Sequence, residues 1–273
     1  MNKAEIGIIG GSGFYEFLKK GEWVDIKTPY GKPSDKIFLG EYKGKKIAFL
    51  PRHARGHKIP PHMINYRANI WVMKELGVKI IIAPTAVGSL QPKIRRGDFV
   101  IPNEFIDRTN NREDTFFDGL TPQKGGAKVV HISSADCYCD KLRKIAFDIC
   151  KKNKLRVHDN ATVVVIQGPR FSTHAESKWF TKMGWDIINM TQYPEVVLAR
   201  EAEICYLNIS LATDYDAGLI GKKGIQPVSI EEIIKVFGEN TEKLKKVILE
   251  VIAKIPKDYK CQQCHEALKN AVV

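Results

Sequence analysis

The sequence predicts an α/β fold in a single domain, and three observations carry that reading. Short β-branched runs alternate with helix-period segments along the whole of the 273-residue chain. Several of those runs are apolar throughout rather than at alternate positions, the pattern of strands covered on both faces. No internal repeat, low-complexity tract or linker divides the chain, and its length suits one α/β domain.

The elements follow in chain order. Strands are expected at Ile6–Ile9, Lys46–Leu50, Ile80–Ala83, Phe99–Ile101, Val163–Ile166, Asp186–Met190 and Tyr206–Ala212. A helix is expected over Asn65–Leu76, with Ile70, Met73 and Leu76 on one face and Gly77 as its stop. Asp140–Lys151 and Ser172–Met183 read the same way, the second ending at Gly184. Pro194 opens a helix through Ala202, since a first-turn proline lacks only an N–H that has no intrahelical partner there. Val228–Ile252 is the longest helical pattern. Ser229 with Glu232 three residues later forms its capping box, and an interruption is expected near Gly238. The domain is expected over residues 1–256. Residues 257–273 read as a polar C-terminal tail that carries a Cys-x-x-Cys pair.

Composition excludes several classes of function. No apolar run approaches the ~18 residues of a membrane helix. Ile6-Gly7-Ile8-Ile9 is too short for a signal-peptide core and no small-residue cleavage site follows it, so a cytoplasmic protein is expected. The net charge of +12 comes largely from lysines interleaved with acids in helical stretches, which reads as a solvated surface. There is no basic run of five and no nucleic-acid-binding motif, so no nucleic-acid partner is expected. An acidic small ligand stays open.

The six cysteines are spread too widely for a small disulfide framework. Cys261-Gln-Gln-Cys264 has redox or metal spacing, but a zinc site needs two further ligands, and only His265 lies near in sequence. His53, His57 and His62 lack the spacing and the carboxylates of a metal set. No metal is expected.

Six loops carry the candidate chemistry, and each follows an expected strand, where open α/β sheets gather their ligands. Gly10-Gly11-Ser12-Gly13 reads equally as a tight turn or as an anion site; it is neither a P-loop nor a dinucleotide fingerprint. Arg52 and His53 offer donors for a phosphate. Thr85 to Ser89 is a second small, hydroxyl-bearing loop. In the loop after Val163–Ile166, Phe171 offers a stacking surface and Ser172 a donor. Met190 offers a soft apolar surface and Thr191 another donor. Asp214 and Asp216 close the last strand, where a carboxyl can accept from, or protonate, a nitrogen heterocycle.

Taken together, the loops resemble the trimeric purine nucleoside phosphorylase and methylthioadenosine phosphorylase family, nearly end to end. The resemblance rests on Gly10-Gly11-Ser12-Gly13, Pro51-Arg52-His53, Asn65-Tyr66-Arg67-Ala68-Asn69, Gly88-Ser89-Leu90, Gly168-Pro169-Arg170-Phe171 with Glu176, Met190-Thr191 with Pro194-Glu195, and Thr213-Asp214. It implies a mixed, partly barrel-like sheet flanked by helices. It also implies a glycosyl transfer in which a purine nucleoside and inorganic phosphate give a free base and a pentose 1-phosphate, with no cofactor.

Carried over residue by residue, the resemblance makes Ser12, Arg52, His53, Thr85, Ala86, Ser172 and Thr191 the phosphate cradle. Met190 would lie along the sugar and Phe171 against the base. Asp214 would be the general acid at the N7 and N6 edge, with Tyr215 beside it and Asp216 in support. Family members that act on 6-oxopurines have Asn where Asp214 stands, so the acid points to the methylthioadenosine branch. Val228, Ile230 and Ile233, with Ser172, resemble the wall of that branch's apolar 5′ pocket. His131 resembles a residue that reaches a neighbouring subunit's site in a trimer or a dimer of trimers. Two departures stand against strict 5′ specificity. Ala217-Gly218 replaces bulkier residues of the animal enzymes, and Gln192-Tyr193 precedes Pro194 where small residues are usual. A broad purine nucleoside phosphorylase that takes adenosine, inosine and guanosine is therefore the alternative, with a non-catalytic purine or nucleic-acid binding module as the alternative outside enzymes. Two cysteine pairings, Cys139 with Cys205 and Cys261 with Cys264, stay open.

Overall fold

The computed structural model describes residues 4–11, 18, 21–119, 129–221, 225 and 229–273. Ser12 and Val228 lie outside the described residues. Nine strands form one sheet: β1 (Ile6–Gly10), β2 (Gly21–Val24), β3 (Ile37–Tyr42), β4 (Lys45–Pro51), β5 (Ile80–Ser89), β6 (Phe99–Arg108), β7 (Val157–Ile166), β8 (Ile187–Asn189) and β9 (Cys205–Tyr215). The helices are α1 (Tyr66–Glu75), α2 (Asp140–Lys152), α3 (His174–Lys182), α4 (Gln192–Glu201), α5 (Ile230–Lys254) and the single turn α6 (Gln262–His265).

The strand order is β2-β3-β4-β1-β5-β8-β7-β6-β9, and β9 pairs again with β5. That last pairing closes β5, β8, β7, β6 and β9 into a five-stranded barrel, while β1 to β4 extend from it as an open wing. The expected mixed, partly barrel-like sheet is therefore present. β1, β4, β5 and β9 run parallel, so their carboxyl ends emerge on one side.

The all-apolar strands owe their composition to cover on both faces. In β1, Ile6 and Ile8 join one core cluster and Ile9 the other. In β5, Ile80 and Ile82 face the first, and Ile81 and Ala83 the second. Ile70 and Met73 of α1 and Val196 and Leu198 of α4 complete one layer. Leu142 and Ala146 of α2 and Val247, Ile248 and Val251 of α5 complete the other. Each fully buried side chain of this size contributes about 1.5–3 kcal/mol, which outweighs any local propensity.

The structure departs from the sequence reading in three ways. The hairpin β2–β3, joined in register from Gly21↔Gly40 to Val24↔Ile37, escapes it because Gly21 and Glu22 of β2 are exposed and the apolar run of β3 is only three residues, Ile37 to Leu39. The barrel strands extend beyond their apolar cores, because the barrel continues to pair segments such as Thr85–Ser89 and Thr213–Tyr215 that carry polar residues. Helix α5 runs unbroken through Gly238, which is exposed and has open space where a side chain would be. The buried stripe Leu244–Ile252 and the Ser229 cap, whose Oγ accepts the Glu232 N–H at 3.2 Å, offset the ~1 kcal/mol cost of a helical glycine. Among the described residues, no helix is long and apolar enough to cross a membrane.

All six cysteines are free thiols, so neither pairing left open by the sequence is formed. Residues after α5 fold back on the body: Arg200 donates to Gln263 O at 2.6 Å, and Val272 pairs with Val130 in an isolated bridge.

Candidate active site

The sheet brings most of the predicted loops to one place. The Arg52 N–H donates to Gly10 O at 2.8 Å, which ties the end of β4 to the end of β1. In the β5–β9 register, Thr85 lies opposite Ser210 and Gly88 opposite Asp214. β9 holds one extra residue there, because Val87 pairs with Ala212 and Gly88 with Asp214. Such a bulge re-aims the side chains that follow it. On the other side of β5, Gly88 pairs with Ile188 of antiparallel β8.

Asp214 is buried, and its Oδ1 accepts from Thr213 Oγ1 at 2.7 Å. A Cβ on Gly88 would come within 3.1 Å of Asp214 Oδ2, so glycine is what lets the carboxyl sit against the strand. Burial pushes the Asp214 pKa up to about 6; the Thr213 hydrogen bond works against the shift, and the charge of Asp216 adds to it. Asp216 is raised by burial as well, with the hydroxyls of Ser177 and Ser172 acting the other way. Asp216 Oδ2 and both amide atoms of Asn189 are buried and complete no hydrogen bond among the described residues. Buried polar atoms without partners are costly, and here they line the ends of β8 and β9, where a polar ligand would satisfy them.

Arg52 is placed as expected but oriented differently. Its Nε and one terminal nitrogen fork onto the carboxylate of Glu195, at 2.8 and 2.9 Å. The same nitrogen donates to Ile9 O at 2.7 Å, and the other to Pro84 O at 3.2 Å. Four of its five N–H bonds are thereby engaged inside the protein, and one is left for an anion. Burial alone would lower the Arg52 pKa; the buried Glu195 more than reverses this and holds the guanidinium above its usual range. Glu195 also accepts from Tyr206 OH at 2.8 Å. Arg52 thus clamps β1, β5 and α4 together before it can serve a ligand.

His53 Nδ1 lies 2.9 Å from Ile59 O, and its ring stacks on His57 with centroids 4.3 Å apart. Burial lowers its pKa to about 4, and the charges of Arg52 and His57 add to that effect. The Ile59 contact requires Nδ1 to carry the proton, so Nε2 of the neutral ring is an acceptor. Thr85 Oγ1 receives the Asn208 amide at 3.1 Å and lies 3.2 Å from Ser210 Oγ. At Gly168, with φ of +65°, a Cβ would meet Met190 Sδ at 2.6 Å, so the loop after β7 packs directly on the methionine.

Other predicted residues stand apart or half-open. Phe171 is 37% exposed. Tyr215 is partly buried, with the Arg96 guanidinium 5.9 Å from its ring centre. Ile230 is exposed and Ile233 partly buried in the first turn of α5. His131 is exposed, and its backbone N–H donates to Ala271 O at 2.8 Å.

The model of the phosphorylase superfamily matches residues 5–253. The chain belongs to that superfamily. Among the relatives of this phosphorylase is the S-methyl-5'-thioadenosine phosphorylase of Saccharolobus solfataricus, 48% identical over 99% of this chain and 98% of its own. The purine nucleoside phosphorylase of Streptomyces coelicolor is 47% identical over 93% of this chain and 90% of its own. Among solved structures, a methylthioadenosine phosphorylase from an antarctic soil metagenomic library superposes with a TM-score of 0.90 at 41% identity, covering 100% of this chain and 93% of its own. The methylthioadenosine phosphorylase of Schistosoma mansoni in complex with adenine follows at 0.88 and 36%, covering 98% and 96%.

Several residues that hold the candidate side chains in place were not singled out as site residues by the sequence reading. Glu195 holds Arg52, Thr213 holds Asp214, and Asn208 and Ser210 hold Thr85. A signal for part of this set was present: Tyr206, Asn208 and Ser210 place polar groups at every second position of an otherwise apolar strand, hence on one face.

Proposed function

We propose that the chain cleaves 5′-methylthioadenosine with inorganic phosphate to adenine and 5-methylthioribose 1-phosphate. The observation that carries this reading is the buried carboxyl of Asp214, which holds a proton up to about pH 6 at the end of β9. The protonated form donates to purine N7 while its other oxygen accepts from a 6-amino group. The glycosidic bond breaks as N7 takes the proton, the ribose carries oxocarbenium character, and a phosphate oxygen then bonds to C1′. The reaction uses phosphate as co-substrate and no cofactor.

In this reading the phosphate lies among Thr85 Oγ1, the Ala86 backbone, Thr191, Ser172 and the remaining Arg52 N–H, with Ser12 closing the cradle. Neutral His53 presents Nε2 as an acceptor, and a bound dianion favours its protonation. Met190 borders the sugar, Phe171 the base, and Ile230 and Ile233 the 5′ substituent. Residues 1–256 form the catalytic domain in this reading and 257–273 a tail. A cytoplasmic trimer or dimer of trimers, with His131 serving a neighbouring copy, completes it; the exposed Trp179, Met183, Ile230 and Ile234 supply apolar surface for such contacts.

The 47% identity to a purine nucleoside phosphorylase favours one second reading, broad purine acceptance. Base release from 5′-methylthioadenosine, adenosine and inosine, each with and without phosphate, separates the two. Phosphate-dependent adenine release fastest from methylthioadenosine is expected. Equal or faster turnover of inosine selects the broad enzyme, and release that ignores phosphate overturns both.

A further inference from the structure

Far from the ligand-binding ends of the strands, at the opposite end of β9, four cysteines converge. Cys139 is the N-cap of α2, Cys205 is the first residue of β9, and Cys261 and Cys264 flank the first turn of α6. Their Sγ atoms all lie within 4.8 Å of one another, and all four residues are buried. Among the described residues this is the one group of His, Cys, Asp or Glu side chains so arranged. The two ligands that the Cys-x-x-Cys pair lacks in sequence are therefore supplied from 56 or more residues away (261 − 205) by the fold.

We propose that Cys139, Cys205, Cys261 and Cys264 form a structural zinc site. The dimensions fit. Cys139 and Cys261 Sγ lie 3.7 Å apart. A regular tetrahedron with that edge places its centre about 2.3 Å from each corner, the zinc–thiolate bond length. The surrounding groups fit as well. Tyr259 OH is 3.1 Å from Cys139 Sγ, a donor for a thiolate. His265 is not a ligand but orients the loop. Its Nδ1 accepts the Cys261 N–H at 3.5 Å, which leaves Nε2–H facing Cys205 Sγ at 3.5 Å and Lys79 O at 3.3 Å. Hydrogen bonds of this kind around metal thiolates hold the ligands in place. The Cys264 and His265 N–H groups both turn back to Cys261 O, at 3.2 and 2.8 Å, which presents both sulfurs of the pair to one point.

Two disulfides are the competing outcome. Cys139 and Cys261, with sulfurs 3.7 Å apart, belong to neither pairing that the sequence left open. Four sulfurs gathered in one apolar cluster, rather than two separate couples, match a single shared ligand. Binding replaces four S–H protons by one Zn²⁺ and leaves a centre of net charge −2. Its place explains its use: it joins the C-terminal segment to the first residue of the strand that carries Asp214, and to α2.

The test uses the full chain, purified anaerobically from zinc-supplemented cells. Metal analysis is expected to find about one zinc per chain. Exchange into cobalt is expected to give the intense visible bands of tetrahedral thiolate-bound Co²⁺. All six thiols titrate in denaturant with chelator present. Cys261→Ser and Cys264→Ser lose the metal, whereas Cys150→Ser, a buried cysteine outside the four, keeps it. Reduced protein that takes up neither zinc nor cobalt overturns the assignment. So does a chain with two free thiols and the other four oxidised in pairs, or one in which Cys264→Ser retains the metal in full.

Discussion

Replacing Asp214 with Asn should stabilise this phosphorylase while impairing it, and the gain should depend on pH. The carboxyl is buried, and its pKa moves from 3.8 to about 6 on folding. An acid whose folded pKa is raised holds its proton more tightly when folded. Between those two values the native state binds more protons than the unfolded chain, so its stability falls as pH rises. At ~1.4 kcal/mol per unit, a shift of 6 − 3.8 = 2.2 costs about 3 kcal/mol at pH 8, and roughly half of that at pH 5. Asn cannot ionise, and its Oδ1 can still accept from Thr213 Oγ1, as Asp214 does at 2.7 Å. Asp214→Asn is therefore expected to gain about 3 kcal/mol at pH 8 and about half that at pH 5, read from urea unfolding of both proteins at each pH. Adenine release from methylthioadenosine should fall at the same time, and the ratio of inosine to methylthioadenosine turnover should rise. A stability difference that is the same at both pH values would refute the burial argument. An unchanged substrate ratio would remove Asp214 from the base edge.

Other perturbations test other parts of the site. Arg52→Ala should cost about 3–5 kcal/mol, because it leaves Glu195 buried without its cation; a variant of full thermal stability with only a raised phosphate KM would make Arg52 a ligand rather than a clamp. Glu195→Gln should lower stability in the same sense, through loss of the charge at the same pair. His53 should titrate near 4 in the free protein and higher in saturating phosphate, followed by its ring proton shifts in NMR; a value that ignores phosphate separates it from the cradle. Gly88→Ala places a Cβ 3.0 Å from Ile188 and 3.1 Å from the Asp214 carboxyl, and should cut kcat more than it lowers Tm. Equal kcat for that variant and the parent would mean that Asp214 tolerates displacement.

What was legible in the sequence divides along a physical line. The apolar strands and the stripes of α1, α2 and α5 could be read because burial imposes composition locally, residue by residue. The barrel closure could not be read from composition, since the β5–β9 pairing joins segments more than a hundred residues apart and shows in neither. The β2–β3 hairpin stayed hidden because half of β2 is exposed and under no such constraint, and the apolar run of β3 stops after three residues. The candidate site residues were read from their types at strand ends, but the partners the fold gives them were not. Whether Arg52 forks onto a phosphate or onto Glu195 depends on which carboxylate the fold brings to it, and α4 is supplied by a remote stretch of chain. The four cysteines make the same point: the local pair was visible, and the distant pair became visible only in three dimensions.

The engagement of Arg52 bears on how the site works as a whole. A phosphate dianion beneath the sugar must be held by donors that are fixed before it arrives, because reorganisation at that moment would subtract from transition-state stabilisation. Arg52 reaches this condition by giving its fork to Glu195 and two more N–H bonds to the backbone of β1 and β5. The walls of the proposed cradle are thus the same strands that the guanidinium ties together. Its fixed positive charge still acts on the site, and it is one cause of the lowered His53 pKa. Asp214 is treated in the opposite way: burial raises its pKa to about 6, outweighing the Thr213 hydrogen bond and the charge of Arg96, which in the proposed reading leaves it a proton to give. Bringing a further cation close to Asp214, as Ile188→Lys would attempt from β8, should drive its pKa down and remove the proposed general acid. The pH–rate profile should then lose the limb near pH 6 while the phosphate KM stays unchanged; a surviving limb would assign it to another group.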